Sequence, residues 1–380
     1  MTDRHRFHDV FWKGISHVIK PFIAGKFNAT NEELYVDGPC IIISNHVTDW
    51  DPLLVGASFP KKQLYFVASE HIFRLGFVSK LIEFFLAPIP RRKASMGTDT
   101  VMSCLRHLKA GHSICLFAEG DASWDGLTHE VFPATGKLVR NSGASLVTYR
   151  LEGAFLSKPR WSKKFFKGRC YGHPVTVYSP QQLKAMTPAQ ITAAINADIY
   201  ENAWERQKKE RVRYSPEGLA DDIDKALFLC PCCGKIGTIR GENSRIFCTD
   251  CGFETFFDEY RLLSPAEPFE NIAQWDKWQH ENISLPEGDE TAFSDDDINL
   301  KEIFSDHRDN ELADGTLSVR KRSLCIRQFA FALKDIPMMA MVQKKAILFS
   351  HDGKYYELKC KNEKCMRKYL AVWKKCRAAV

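Results

Sequence analysis

Several things are missing from this 380-residue chain. Nowhere do roughly 18 apolar residues run together, so no conventional membrane-spanning helix is expected. The opening MTDRHRFHDVFWKG is charged from residue 3 onward and lacks an apolar run before a small-residue cleavage site, which argues against a secretory leader. Neither an internal repeat nor a low-complexity tract is present, so collagenous and disordered readings are excluded. A strong charge of one sign is also lacking. The 53 Lys and Arg against 47 Asp and Glu leave +6. That excess is too weak to require nucleic acid, and it suits an anionic membrane surface or a phosphorylated substrate.

What is present is the make-up of a folded chain, 44% hydrophobic and 26% charged. Its length exceeds what one hydrophobic core usually spans, so two or three domains are expected. Twelve per cent aromatic content, with 26 Phe, points to unusual apolar faces. Thirteen cysteines in a large chain with no leader read as cytoplasmic thiols and a metal site rather than as a disulfide framework.

Residues 1–215 alternate short apolar runs with helical stretches. The runs 40–44 (CIIIS), 63–68 (QLYFVA), 113–118 (SICLFA) and 145–151 (SLVTYRL) read as buried strands. Between them, residues 98–110 place Val101, Leu105 and Leu108 at helical spacing. Strand and helix in alternation predict an α/β domain, a mostly parallel sheet with flanking helices. A last helix is expected over 188–211, with Thr187 as cap, Pro188 in the first turn and Ile191, Ile195 and Ile199 as a stripe. Residues 226–256 hold a dense cysteine cluster. Residues 257–300 read as a short helix (271–282) and an acidic linker (287–297). Residues 301–380 predict a small β-rich α+β module: strands 315–319 and 324–327 flank a basic turn, 346–350 and 354–359 flank Asp352-Gly353, and a helix over 363–377 closes it.

The chemistry-bearing residues begin just after the first strand, at Ser44-Asn45-His46-Val47-Thr48-Asp49-Trp50-Asp51-Pro52. The carboxyl end of a strand is where open α/β sheets bind ligands. An imidazole there can accept a proton near neutral pH if a carboxylate holds its other nitrogen. Asp51-Pro52 reads as a helix cap followed by Pro at the first helical position, which leaves His46 in the turn before it. Spacing does not choose between Asp49 and Asp51.

Asn45-His46-x4-Asp51 resembles the first block of the 1-acylglycerol-3-phosphate acyltransferase family, the glycerolipid acyltransferases. Pro88-Ile89-Pro90-Arg91-Arg92 resembles the second block, and Phe117-Ala118-Glu119-Gly120-Asp121-Ala122-Ser123 the third, usually Phe-Pro-Glu-Gly-Thr-Arg-Ser. Phe132 with Gly136-Lys137 and the strand 145–150 stand where the family's later features belong, so the resemblance spans about 35–200. It implies acyl transfer from a thioester, acyl-CoA or acyl-carrier protein, to the hydroxyl of a lysophospholipid-type acceptor. His46 would be the general base and Asp51 its orienting group. Asn45, Arg91, Arg92, Glu119 and Gly120 would hold the acceptor. Ala118, Asp121 and Ala122 depart from the family pattern, and the fourth block lacks its usual Pro near Thr148. Neither Ala nor Asp replaces an arginine that grips phosphate, and Asp121 would repel a dianion. Arg150, at the end of its strand, is the expected substitute cation.

A substrate with long acyl chains implies contact with an anionic membrane surface, with the protein cytoplasmic and peripheral on the inner face of the membrane. Three stretches have the mix of aromatics and cations of a segment lying in the interface: 10–27, 71–86 and 155–169. Finally, Cys230-x2-Cys233 and Cys248-x2-Cys251 stand 14 residues apart and predict a ribbon around a structural zinc, with Cys232 out of register and a redox role as the rival reading. Residues 238–240 and 245–247 are the expected hairpin between the two knuckles. Zinc ribbons also occur in nucleic-acid-binding proteins, and the turn Arg320-Lys321-Arg322 could touch phosphates. The alternative function is therefore a nucleic-acid-binding or scaffold protein with a non-catalytic acyltransferase-like domain; the intact His46 and Asp51 argue against it. The 301–380 module resembles the pleckstrin-homology-like class in its hairpins and closing helix.

Overall fold

The computed structural model describes residues 3–74, 76–92, 97–286, 288–304, 306, 308–362 and 365–378. The chain divides into two compact units. The first holds the described residues up to Arg160 and Lys164–Ser215, and the second holds Trp161–Lys163 and the described residues from Pro216 onward.

In the first unit a long helix, α1 (Asp3–Phe27), leads into the strand β1 (Ala29–Asn31). There follow β2 (Cys40–Ser44), α2 (Asp51–Gly56), β3 (Leu64–Ser69), α3 (Phe77–Leu86) and β4 (Ile89–Arg91). Next come α4 (Thr98–Lys109), β5 (Ser113–Leu116), α5 (Ala134–Ser142), β6 (Ser145–Glu152), α6 (Ala154–Ser157) and β7 (Cys170–Tyr178). Three helices end the unit: α7 (Pro180–Ala185), α8 (Pro188–Ile199) and α9 (Ala203–Glu210). The strands form one seven-stranded sheet in the order β1-β7-β6-β2-β5-β3-β4. Every pairing is parallel except β6 with β7, so the expected architecture is present. β2 is buried at every position, as a strand covered by helices on both faces must be. Its Ile41 and Ile43 pack with Ile114 and Leu146, with Cys104 and Leu108 of α4, and with the Ile191, Ile195, Ile199 stripe of α8. α5 meets α8 backbone to backbone: a Cβ on Gly136 would lie 2.0 Å from the Pro188 carbonyl oxygen.

The helix expected over 188–211 is two. Thr187 and Gln190 form a reciprocal cap at the start of α8, and Asn202 starts a new helix by accepting from the Trp204 and Glu205 amides. Between them Asn202 bridges Leu127 and the Glu201 amide donates to Thr128, so residues 200–202 pair with a loop instead of continuing the helix.

α1 has two apolar faces. His8, Trp12, Ile19, Ile23 and Phe27 are buried, while Phe7, Val10, Val18 and Phe22 are exposed on the outside. α3 lies beside it, with Phe7 against Phe84, Phe11 against Phe85, and the His8 ring bonded to the Phe84 carbonyl. Phe77, Val78, Leu81 and Phe84 of α3 are likewise exposed. Two of the three stretches expected at a membrane interface therefore do present apolar surface. The third does not: in 155–169 the aromatics Phe155, Trp161 and Phe166 are buried, while Lys163, Lys164, Lys167 and Arg169 are exposed. Among the described residues no helix is long and apolar enough to cross a membrane.

The second unit opens with a four-stranded antiparallel sheet. Its strands are β8 (Ile239–Glu242), β9 (Arg245–Cys248), β10 (Glu254–Phe257) and β11 (Leu263–Ser264). α10 (Ile272–Asn282) is capped by the Asn271 side chain. Then come β12 (Thr291–Ile303), β13 (Asp309–Arg320), β14 (Ser323–Ile326), β15 (Phe329–Ala332), β16 (Met339–Val342), β17 (Ala346–His351) and β18 (Lys354–Cys360), closed by α11 (Arg367–Ala378). These strands make a wholly antiparallel sheet in the order β15-β14-β13-β12-β18-β17-β16. The acidic linker expected over 287–297 is corrected, since 291–297 begin β12. The acidity there serves burial: Asp295 accepts from Lys368 at 2.7 Å and from the Tyr369 hydroxyl at 2.8 Å. Arg367 grips Asp276 of α10 with two hydrogen bonds, 2.7 and 3.0 Å, in the same interior.

Candidate active site and metal centre

β2 and β5 lie side by side in parallel register, Ile41 opposite Ile114 and Ile43 opposite Leu116. The loops that leave their carboxyl ends therefore emerge at one edge of the sheet. Asn45, the first residue after β2, locks that loop to β6. Its amide donates to the Leu151 carbonyl at 2.8 Å and accepts from the Leu151 amide at 2.7 Å. With no exposed surface and both amide ends used, Asn45 is a strut; its expected role in holding the acceptor is corrected.

His46 follows, and its Nδ1 lies 2.7 Å from Asp51 Oδ2. The Asp51 carboxylate also accepts from the amides of Val47 at 2.6 Å and Thr48 at 3.1 Å. It is fully buried. Trp50, not Asp51, is the residue before the helix; Asp51 sits in the first turn and its carboxylate folds back over the preceding loop. Asp49 is exposed, so the structure pairs His46 with Asp51. Burial raises the proton affinity of Asp51, while the imidazole and the two amides pull it the other way. Nδ1–H facing the carboxylate leaves Nε2 its lone pair, with no hydrogen-bond partner among the described residues, on a side chain that is 22% exposed. Phe117 stacks on the ring at 4.5 Å and fixes its plane.

Glu119 ties the two loops together. One oxygen accepts from the His46 amide at 2.6 Å, the other from the His129 amide at 2.7 Å. Burial pushes its carboxyl up to about 7, against the pull of those amides. The Ser123 amide adds a 2.8 Å bond to the His46 carbonyl. Gly120 adopts φ +90°, and a Cβ there would lie 2.5 Å from the Phe132 ring, so only glycine fits the turn. Arg91 reaches the same place from the end of β4, with its guanidinium 4.8 Å over Phe132 and 3.7 Å from where that Cβ would be.

The remaining expected cations lie in other hands. Arg92 Nε is 3.8 Å from Glu70. Arg150 donates to the Asp198 carbonyl at 2.8 Å and lies 3.7 Å from Glu152, so it braces the end of α8 and does not supply the substitute cation. The cation that does stand at the altered third block is Arg160. It donates to the Asp121 carboxylate and, at 3.2 Å, to the Ala122 carbonyl, with its guanidinium 4.8 Å over Trp124. Sequence reading missed Arg160. Its one trace there is that Asp121, placed where the family carries no acid, needs a partner.

In the second unit Cys230, Cys233, Cys248 and Cys251 bring four sulfurs within 4.8 Å of one another, a group able to hold a metal ion. Cys230 and Cys251 lie 3.6 Å apart and Cys233 and Cys248 3.8 Å, far beyond a disulfide bond. The knuckles close as expected: the Gly234 amide donates to the Cys230 carbonyl, and the Asp250 amide points at Cys248 Sγ at 3.4 Å. β8 and β9 form the hairpin between them. Cys232 is exposed and is not one of the four.

A solved structure, the 1-acyl-sn-glycerophosphate (LPA) acyltransferase PlsC from Thermotoga maritima, is similar at 18% identity with a TM-score of 0.46, over 56% of this chain and 85% of that one. The family model described as Acyltransferase matches residues 26–152. That match takes in the stretch from β1 to β6, with His46, Asp51, Arg91 and Glu119 inside it.

Proposed function

We propose that this protein transfers a fatty acyl group from a thioester, acyl-CoA or acyl-carrier protein, to the hydroxyl of a lysophospholipid-type acceptor. The observation that carries this is the 2.7 Å contact between His46 and an Asp51 held by two backbone amides, with the far ring nitrogen open. The acceptor hydroxyl approaches Nε2 and gives up its proton as its oxygen attacks the thioester carbonyl. The new C–O bond replaces the C–S bond, and the proton leaves with the thiol. Asp51 stabilises the imidazolium formed on the way. Arg91 and the Glu119-Gly120 turn, tied to the His46 backbone, lie where the rest of the acceptor would be held.

The exposed faces of α1 and α3 are the surface we assign to anionic lipid, with Lys13, Lys20 and Lys80 near them. The protein then sits peripherally on the cytoplasmic face of a membrane. For the four cysteines we propose structural zinc. Thiolates about 2.3 Å from a tetrahedral ion are spaced by about 3.8 Å, and the observed pairs match this. The zinc would hold both knuckles of β8 and β9.

The test is release of thiol from acyl-CoA in the presence of a panel of lysolipids. His46→Ala should lower kcat by about 10²–10⁴-fold while the fold, read by circular dichroism, is kept. Undiminished turnover in that variant would remove the mechanism.

A further inference from the structure

Building on the acyl-transfer reading, we propose that the head-group end of this site selects an acceptor bearing a single negative charge, a phosphodiester, over a phosphate monoester dianion, and that Asp121 imposes the choice. The turn 119–122 is fastened to the base itself, by Glu119 to the His46 amide and by Ser123 to the His46 carbonyl. An acceptor whose hydroxyl reaches Nε2 therefore has its head group beside this turn.

Two guanidiniums face the turn, and they are not equivalent. Arg160 is almost wholly buried and is already matched: it serves the Asp121 carboxylate and the Ala122 carbonyl, and Trp124 covers its face. Of the two, Arg91 is the one placed to meet an anion, lying against Gly120 and Phe132. Arg92 faces Glu70, and Arg150 is spent on α8. The carboxylate of Asp121 is a third exposed and close enough for its charge to act on Arg91. A monoester dianion drawn to Arg91 would bring its second charge up to the Asp121 carboxylate. A phosphodiester has no second charge. Its outer alcohol can carry a hydroxyl or an ammonium, and the Asp121 carboxylate, whose second oxygen accepts from the Trp124 indole at 3.4 Å, is a third exposed and can take a further hydrogen bond from either. Asp121 is thus a specificity-determining residue that admits one class of head group and repels the other.

Thiol release is measured with acyl-CoA and three lysolipids of one chain length in neutral micelles: the phosphate monoester, the glycerol phosphodiester and the ethanolamine phosphodiester. The quantity read is the ratio of kcat/KM between diester and monoester within one preparation, so any unfolded fraction cancels. The wild type should favour the diesters by about tenfold or more. Asp121→Asn, which keeps a hydrogen-bond acceptor for Arg160, should move the ratio toward the monoester by about fivefold or more. Asp121→Ser repeats the test with a smaller side chain. A wild type that prefers the monoester, or a ratio unmoved in both variants, overturns the selection while acyl transfer stands. No turnover of any acceptor removes acyl transfer and the selection with it.

Discussion

The mixed sheet of the first unit and the antiparallel sheet of the second each have seven strands, yet they gather very different things. In the first, β2, β5, β3 and β4 run parallel, so the residues that follow them meet at one edge. His46, Arg91 and Glu119 come from three strand ends and become neighbours by that geometry alone. In the second, successive strands reverse, and each turn falls at the opposite edge from the last. Its buried charges are consumed in pairs inside the unit: Asp295 with Lys368, Asp276 with Arg367. Parallel topology leaves polar groups facing outward for chemistry, whereas the antiparallel unit turns them inward for cohesion.

The difference can be broken by experiments that strike one unit and read both. Metal removal has the largest expected effect. Structural zinc in small thiolate modules is worth about 10–16 kcal/mol of apparent binding energy. A chelator strong enough to strip it should abolish hydrogen-exchange protection of β8 and β9, and metal analysis before treatment should give one zinc per chain. A fully protected hairpin in metal-free protein would contradict the assignment. Next is Arg367→Met, which takes from buried Asp276 its guanidinium and leaves it the Gln279 amide and His280, 3.8 Å away. Loss of one partner from such a pair costs about 3–5 kcal/mol, read in the denaturation midpoint of the second unit. The double variant with Asp276→Leu should recover most of it; no recovery would mean that packing, not charge, is the cause.

The smallest effect belongs to the site. Glu119 holds its proton up to about 7, and protonation takes one oxygen from the amide it serves. As pH falls through 7 the His46 loop loses that bond, so kcat/KM should fall on the acid side by roughly tenfold, the worth of about one buried hydrogen bond. As a raised carboxyl, Glu119 costs the fold stability as pH climbs from the ordinary carboxylate range to about 7, the opposite sense to its effect on rate. Glu119→Gln should flatten this limb. A profile identical to wild type would assign it to another group.

Much of the first unit, and the cysteine cluster of the second, could be read from sequence because their signals are local. CIIIS is a buried strand by composition, and four cysteines at fixed spacing need only a hairpin to converge. The pairing of His46 with Asp51 rather than Asp49 needed the loop conformation, since both carboxylates lie within reach in sequence. Arg160 was illegible: it comes from a segment whose aromatics suggested an interface, and its role exists only through Asp121, 39 residues earlier. The acidic start of β12 misled for a related reason. Asp295 serves Lys368, far along the chain and buried against it.

The outward apolar faces of α1 and α3 carry a consequence for how such an enzyme should be measured. If those faces rest on lipid, as proposed, the protein and its acceptor share a plane, and the quantity that governs encounter is molecules per area, not per volume. Diluting the acceptor with inert lipid at fixed bulk concentration then slows the reaction, while adding more bilayer of the same composition does not. Rates quoted per millilitre would describe the vesicle preparation and leave the enzyme out.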